Sequence, residues 1–292
     1  MNLKTPLLLA FSALFTLGAA SCSGGSSKLK IVHFDQSILG ESEKELGVSI
    51  GVSKSDGDLK EKINEALKEI SPDTRNVWMS EAVERSTDEN PTTVSGQSED
   101  NDPSRSYLTV GLECDYAPFN WTETAPTAYT YPINGMQGQY AAGYDVTMAK
   151  ALAEALNYNL RVLKMDWEAL IPALQSGTVN AVIAGMTDTE ERRLSIDFTD
   201  EYYRSELVLI VKADSKYADA DSLNAFSGAK IVSQVSTITD DVIEDWVKEY
   251  GVTHLNPLET FSTCAIAVQS GSADAMTAEL PVANSIVNGA NR

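Results

Sequence analysis

From Tyr107 onward, strand-like segments alternate with segments of helical period almost without a break, and this alternation limits the fold more than any other feature. "YLTVGL" reads as a strand, and "YDVTMAKALAEALNY" as a helix with Asp145 at its N-cap and Val146, Ala149, Leu152, Ala153 and Leu156 on one face. "LRVLKM" is the next strand. "ALIPALQSG" is a helix closed by Gly177, starting close to Ala169 because Pro172 is tolerated only in a first turn, which leaves Trp167 in the turn before it. "VNAVIAG", "ELVLIVK" and "AKIVSQ" read as strands, with "EERRLSI" as a short helix among them. "DDVIEDWVKEYG" is a helix stopped by Gly251, and "THLN", "STCAIAVQSG", "ADAMTA" and "PVANSIVNG" continue as strand, helix, strand, helix. Strands joined through helices run parallel, so the chain is of the α/β class.

A short repeat adds to this. "QSGTVNAVIAG" at Gln175 and "QSGSADAMTAE" at Gln269 share Q-S-G-x-x-[ND]-A at an offset of 94 residues, 269 minus 175. Each is a helix end, a glycine stop and a buried strand. The repeat predicts two similar lobes, with Gly185 and Glu279 at matching strand ends. Ligands of open α/β sheets bind outside those ends.

Three segments supply candidate ligand-binding residues. In "AGMTDTEERR" a strand delivers Gly185 and then Thr187, with Thr187 and Glu190 at capping-box spacing. Arg192 then sits in a first helical turn, where a cation opposes the macrodipole unless an anion is bound or a neighbouring acid pairs with it. In "VSQVSTITDD", Ser236 and Thr237 stand at a helix N-terminus, as caps or as hydroxyl ligands. In "GLECDYAPFNW", Glu113 ends a strand and is followed by Tyr116, Phe119 and Trp121. A carboxylate beside aromatics suits an ammonium group, while aromatics alone are more often core.

Several function classes recede. The formal charge of −20 argues against nucleic acid and anionic membrane surfaces as partners. No Cys/His cluster has zinc spacing, and no Walker loop, GxGxxG or GxSxG is present, so no cofactor or metal is expected. The two histidines, His33 and His254, lie in strand-like segments and read as structural. Residues 1–21 read as a signal peptide: Lys4, then an apolar run too short to span a bilayer. The following "AASCSGGSS" looks like a bacterial lipoprotein cleavage site with Cys22 as the lipidated residue and 22–27 as a tether, although ordinary secretion with cleavage near Ser21 stays open. Cys114 and Cys264 are far apart in sequence and read as two thiols, with a disulfide possible in an oxidising setting.

"YAPFNW", then "GYDVTMAKALAEAL", then "DWEALIPALQSGTVNAVIAGMTDTEERRLSIDFTDEYY" resemble the extracellular solute-binding proteins of polar amino-acid ABC importers, family 3, over residues 107–292. The resemblance implies the two-lobed type II periplasmic-binding fold, closing like a flytrap. It implies Arg192 as anchor of a ligand α-carboxylate, helped by the backbone around Gly185, by Thr187 and by Thr237. "DAMTAELPVA" resembles the family's D-A-x-x-x-D-E-P-V-A, so Glu279 falls where an aspartate usually binds the α-ammonium. Tyr116 and Trp167 match the aromatic walls, and Glu113 stands where many members have aspartate.

The family continues past this point with an edge strand, a crossing strand and two helices, whereas this chain reads "NSIVNGANR" and stops. The missing pieces are found at the other end. "KLKIVHFD" looks like the edge strand and "ELGVSIGVSK" like the return strand. "DLKEKINEALKEI" follows as a helix capped by Asp58 with Leu59, Ile63, Ala66, Leu67 and Ile70 on its apolar stripe, and "PDTRNVWMSEAVERS" as the closing helix. The chain therefore reads as circularly permuted: 28–45 and 206–292 form lobe 2, 46–86 and 107–205 form lobe 1, and the polar segment 87–106 is a flexible linker joining the ancestral termini. A truncated tandem pairing as a swapped dimer, or an unrelated N-terminal domain, are the alternatives.

The expected function is that of a lipid-anchored receptor on the outer face of the cytoplasmic membrane, which hands a free amino acid to ABC permease subunits. Two acids at the crevice favour a polar or cationic ligand such as lysine, arginine or ornithine. The alternatives are an enzyme on the same scaffold, a dehydratase of prephenate- or arogenate-like acids with Glu113 as general acid, and a ligand-sensing module.

Overall fold

The computed structural model of the chain describes residues 28–39 and 46–292. The expected signal peptide, Cys22 and the 22–27 tether lie outside the described residues, as do residues 40–45.

The first elements are β1 (Leu29–Val32), β2 (Gly47–Val52), α1 (Gly57–Glu69) and α2 (Pro72–Arg85). After the linker come β3 (Tyr107–Leu112) and a small sheet of β4 (Asp115–Tyr116), β5 (Asn120–Glu123), β6 (Tyr131–Pro132) and β7 (Tyr140–Ala142). The chain continues through α3 (Tyr144–Leu156), β8 (Asn159–Lys164), α4 (Leu170–Gln175), β9 (Ala181–Val182), α5 (Glu190–Arg193), β10 (Asp197–Arg204) and β11 (Leu207–Lys212). It ends in β12 (Lys230–Val232), α6 (Ile238–Tyr250), β13 (Thr253–His254), α7 (Phe261–Ser270), β14 (Ala275–Glu279) and α8 (Leu280–Ala290).

Two five-stranded sheets define two lobes, in the orders β10-β2-β9-β3-β8 for lobe 1 and β1-β11-β14-β12-β13 for lobe 2. Their strand senses match as well. β8, β3 and β9 run parallel, β2 pairs antiparallel to β9, and β10 antiparallel to β2; β13, β12 and β14 run parallel, β11 pairs antiparallel to β14, and β1 antiparallel to β11. The α/β class and the two lobes are as the sequence predicts.

The N-terminal segment gives one strand to each sheet. β2 lies between β9 and β10 with every residue buried. Its Val48, Ile50 and Val52 join Leu59, Ile63 and Leu67 of α1 in one core, each such side chain contributing roughly 1.5–3 kcal/mol on full burial. β1 is the edge strand of lobe 2, against β11. α2 packs on α3 of lobe 1 and α8 of lobe 2, with Ser86 Oγ 2.7 Å from Ser285 Oγ. Asn291 reaches β1: its Oδ1 accepts from Leu29 N–H at 2.8 Å and its Nδ2 donates to Leu29 O at 2.9 Å.

The chain passes between the lobes twice, after β1 and at Ser205–Glu206. Gln36 links the two passages: its Oε1 accepts from Leu207 N–H and its Nε2 donates to Leu207 O, each at 2.9 Å. Two connections between lobes, each a few element-terminal residues, are the kind of segment that can serve as a hinge.

Several local expectations change. Asp145 is not an N-cap; Gly143 holds that position at φ 121°, and the N–H groups of Tyr144 and Asp145 donate to Pro118 O and Phe119 O. The cap of α1 is Asp56, whose Oδ1 accepts from Leu59 N–H, and Asp58 sits inside the first turn. Thr189, not Thr187, caps α5, which leaves the Thr187 hydroxyl for Arg192. The strand read from "VNAVIAG" regularises only at Ala181–Val182. The 87–106 segment has no helix or strand, and its polar groups fasten it to lobe 1. Gln97 Nε2 donates to Thr127 O at 2.7 Å, Asp100 N–H to Tyr131 Oη at 2.8 Å, and Asn134 Nδ2 to the Glu99 carboxylate at 2.8 Å. Polarity marked this segment as solvated, but its amides and acids find lobe-1 partners.

Candidate functional site

The site lies where the strand ends of the two sheets face each other. Glu113 follows β3, Gly185 and Thr187 follow β9, Glu279 ends β14, and Thr237 caps α6 after β12. All five line one cavity of about 20 Å³, together with Tyr116, Trp167, Arg192, Gln234, Ile238 and Phe261. Ser236 lines an adjoining cavity of about 470 Å³, with Trp167 and Arg192 shared between the two. Glu113, Tyr116, Trp167, Gly185, Thr187, Arg192, Ser236, Thr237 and Glu279 thus all reach this crevice, whereas Phe119 is core, stacked behind Tyr116.

Local sequence explains the placement. Gly185 adopts φ 61°, and a Cβ there would stand 2.6 Å from Tyr116 Cε1, so only glycine lets that ring lie against the strand end. Tyr116 is stacked between Phe119 and Phe261, with both centroid distances 5.0 Å. The Arg192 guanidinium donates through Nη1 to Thr187 O at 2.8 Å and to Thr187 Oγ1, and through Nη2 to Ser236 O across the crevice at 2.9 Å. It lies 5.3 Å over the Trp167 ring, whose Nε1 also donates to Ser236 O, at 3.2 Å. Thr237 caps α6 and also lines the cavity.

The lobes meet through polar pairs. Tyr116 Oη donates to Glu279 Oε2 at 2.8 Å, and Gln234 Nε2 donates to Glu113 Oε1 at 2.8 Å. Both acids are buried. Burial pushes the Glu113 carboxyl up to about 7, with the Gln234 hydrogen bond opposing and Asp115 and Asp166 reinforcing the rise. Burial also raises Glu279, against the Tyr116 hydrogen bond and the Arg192 charge. The Tyr116 phenol, raised by burial and by Glu279, stays protonated.

Outside Glu113 opens a chamber of about 610 Å³. Its lining includes Asp115, Asp166, Glu168 and Glu259, one cation, Lys164, and the faces of Trp121 and Trp167. One guanidinium facing buried acids can hold a zwitterion, and the acids beyond suit a second positive group. A space of about 20 Å³ holds roughly one water, so anything larger would enter only as the lobes part or Tyr116 swings from Glu279.

Sequence reasoning missed Gln234 and Phe261. Gln234 ends the segment "AKIVSQ" read as a strand and lies two residues past the observed β12, just before the hydroxyls of Ser236 and Thr237. Phe261 precedes the segment read as the helix, which in fact begins with it. Cys114 and Cys264 are free and buried, with thiols pushed up to about 12. His254 Nε2 pairs with Asp240 Oδ1 at 2.8 Å and His33 Nδ1 with Glu206 at 3.2 Å, neither in the crevice. Among the described residues no cluster suits a metal ion, and no helix is long and apolar enough to cross a membrane.

Residues 108–248 match the model of the bacterial extracellular solute-binding proteins, family 3. The arginine-binding extracellular protein ArtP of Bacillus subtilis is 34% identical over 144 residues, 49% of this chain and 50% of that protein. The glutamine-binding protein GlnH of the same organism, an ABC transporter component, is 29% identical over 140 residues, covering 47% and 50%. The chain spans about half the length of the curated relatives it matches. Among solved structures, an ancestral arginine-binding protein bound to arginine superposes with a TM-score of 0.51 at 32% identity, over 61% of this chain and 72% of that one. The fold is accordingly the type II periplasmic-binding one, and the chain belongs to the bacterial extracellular solute-binding proteins, family 3.

Proposed function

We propose that this protein is a receptor for a cationic amino acid, arginine before lysine or ornithine, which it delivers to an ABC importer. The observation that carries the reading is the pairing of Arg192 and Glu279 in one crevice, one from each lobe. Arg192 and Thr187 take the α-carboxylate, with Gly185 and Thr237 beside them. Glu279 takes the α-ammonium in place of the Tyr116 hydroxyl. Tyr116 and Trp167 flank the side chain, and Glu113, relieved of Gln234, faces its charged end at the mouth of the acidic chamber. Relatives named as binding arginine, histidine and glutamine support an amino-acid ligand, and the acidic chamber favours a cationic one. Calorimetry over arginine, lysine, ornithine, glutamine and histidine tests it. Arginine should bind tightest, and silence toward all five would overturn the reading.

The same proposal includes secretion with lipidation at Cys22, and a permuted chain in which 87–106 joins the ancestral ends. The pairing of β1 with β11 and of β2 with β10, and the closeness of Asn291 to Leu29, support the permuted reading. Light scattering decides, since an obligate dimer favours exchange. The dehydratase alternative is weaker, because two acids repel a dianionic substrate.

A further inference from the structure

We propose that Asp145 is a positioning residue of the ligand site: through Tyr202 and Asn120 it holds the two left-handed turns from which Gly185 and Glu113 face the crevice. The inference rests on reading that crevice as the amino-acid site, and it concerns a residue that lines none of the crevice cavities.

Asp145 is fully buried in α3, behind lobe 1's half of the site. Its two oxygens serve two arms. Tyr202 Oη donates to Oδ1 at 2.6 Å, and the same phenol oxygen accepts from Gly185 N–H at 2.9 Å. Asn120 Nδ2 donates to Oδ2 at 2.8 Å, and Asn120 Oδ1 accepts from Cys114 N–H at 2.6 Å. Asn120 and Tyr202 are also fully buried. The arms end at the two residues of the lobe-1 rim with positive φ, Gly185 at 61° and Cys114 at 57°. For cysteine that conformation costs roughly 1–2 kcal/mol, so it persists only where partners hold it. Glu113 precedes Cys114, and Thr187 follows Gly185 by two residues.

An ionised carboxylate fits this task because it only accepts. It obliges the Tyr202 hydroxyl and the Asn120 amide to donate inward, which turns an acceptor from each toward a rim N–H. A neutral acid or amide at 145 must itself donate to one arm, and that arm reverses. The first turn of α3 has no use for the carboxylate, since its N–H groups donate to Pro118 O and Phe119 O. The two hydrogen bonds alone offset its burial, and the carboxyl is pushed up to about 7. The titratable groups around it are Tyr202, Tyr144 and Tyr116, kept protonated by burial, and the Cys114 thiol, pushed up to about 12.

The test is Asp145→Asn against the wild-type protein, with L-arginine and L-glutamine as probes. At pH 8.5 the variant should bind about tenfold more weakly, as loss of a charge-assisted contact predicts. At pH 5.5 the wild-type Asp145 is protonated, so the ratio of the two Kd values should fall toward one. Glu113 and Glu279 titrate in both proteins and cancel in that ratio. Tyr202→Phe cuts only the Gly185 arm and should weaken binding less, and the double variant should be no worse than Asp145→Asn. A second readout needs no ligand: in a Glu113→Gln background, which removes the other carboxyl raised to about 7, the ¹⁵N-labelled Gly185 amide resonance should still shift with a midpoint near pH 7, and adding Asp145→Asn should abolish that step. A pH-independent Kd ratio, additive losses in the double variant, or a Gly185 resonance that does not move through pH 7 overturns the proposal. Absence of binding to every amino acid would defeat the site reading instead, and the Gly185 resonance would still judge the relay.

Discussion

The two lobes repeat one scaffold and end it differently. The offset of 94 residues carries the start of β9, Ala181, onto that of β14, Ala275, and Tyr144 of α3 onto Ile238 of α6. It also carries Gly185 onto Glu279. In lobe 1 the strand stops after two residues and turns through a left-handed glycine, exposing backbone and the Thr187 hydroxyl beside Arg192. In lobe 2 the strand runs five residues into α8, and its last residue is the N-cap of that helix without using its side chain as a cap. The Glu279 carboxylate is therefore free to face the crevice. One βαβ unit thus yields a loop beside a guanidinium on one side and a buried carboxylate on the other, the two charges that the proposed zwitterionic ligand requires.

Behind these rims the same offset pairs Asp145 with Thr239. Thr239 is fully buried too, but its hydroxyl lies 2.8 Å from both Ser233 Oγ and Thr237 Oγ1, and its carbonyl accepts from Thr277 Oγ1 at 2.7 Å. Lobe 1 braces its rim with a carboxylate, and lobe 2 braces its own with neutral hydroxyls.

The largest effect should come from breaking the assignment of charge to lobes. Arg192→Ala leaves a ligand carboxylate unpaired and should weaken arginine binding about 100-fold or more, as removal of one partner of a buried pair predicts. A Kd within threefold of wild type by calorimetry would mean that lobe 1 does not take the carboxylate.

Each lobe also brings one buried acid to the crevice, Glu113 and Glu279, and pH sharpens how they act. The Glu113 carboxyl is raised in the folded protein from 4.5 to about 7, so the fold holds that proton more tightly than the unfolded chain does. Its stabilising contribution is complete below about pH 4.5 and is lost as pH rises through 7; the raised Asp145 acts in the same sense. A cationic ligand favours the ionised form, so affinity should move the other way. Thermal melts without ligand should show stability falling between pH 5 and 8, while arginine binding strengthens by up to about tenfold per unit below pH 7. Glu113→Gln should flatten both slopes, and parallel slopes in the wild type would count against a cationic ligand.

The smallest effect should be Thr239→Val, which removes the neutral brace. We expect a loss of about 1 kcal/mol in urea unfolding and a Kd unchanged within twofold. A binding loss equal to that of Asp145→Asn would erase the distinction between the two braces.

Sequence by itself determined the elements and the cast of the site. Alternating periods gave the βαβ units, the twin Q-S-G segments gave the paired strand ends, and the nine residues named for the crevice all reach it, because strand ends and helix starts follow from local pattern. Only the tertiary structure decided what each polar group does. Asp145 and Asp58 carry the cap signature, but a nearby carbonyl or a neighbouring aspartate took that work, and Asp145 turned inward instead. Gln234 and Phe261 matter only because the opposite lobe brings Glu113 and Tyr116 against them. The acidic 87–106 segment is fastened where lobe-1 amides, hydroxyls and carbonyls happen to lie. Caps and strands depend on residues a few positions apart, whereas the partner of a buried polar group comes from anywhere in the chain, and long-range packing alone selects it.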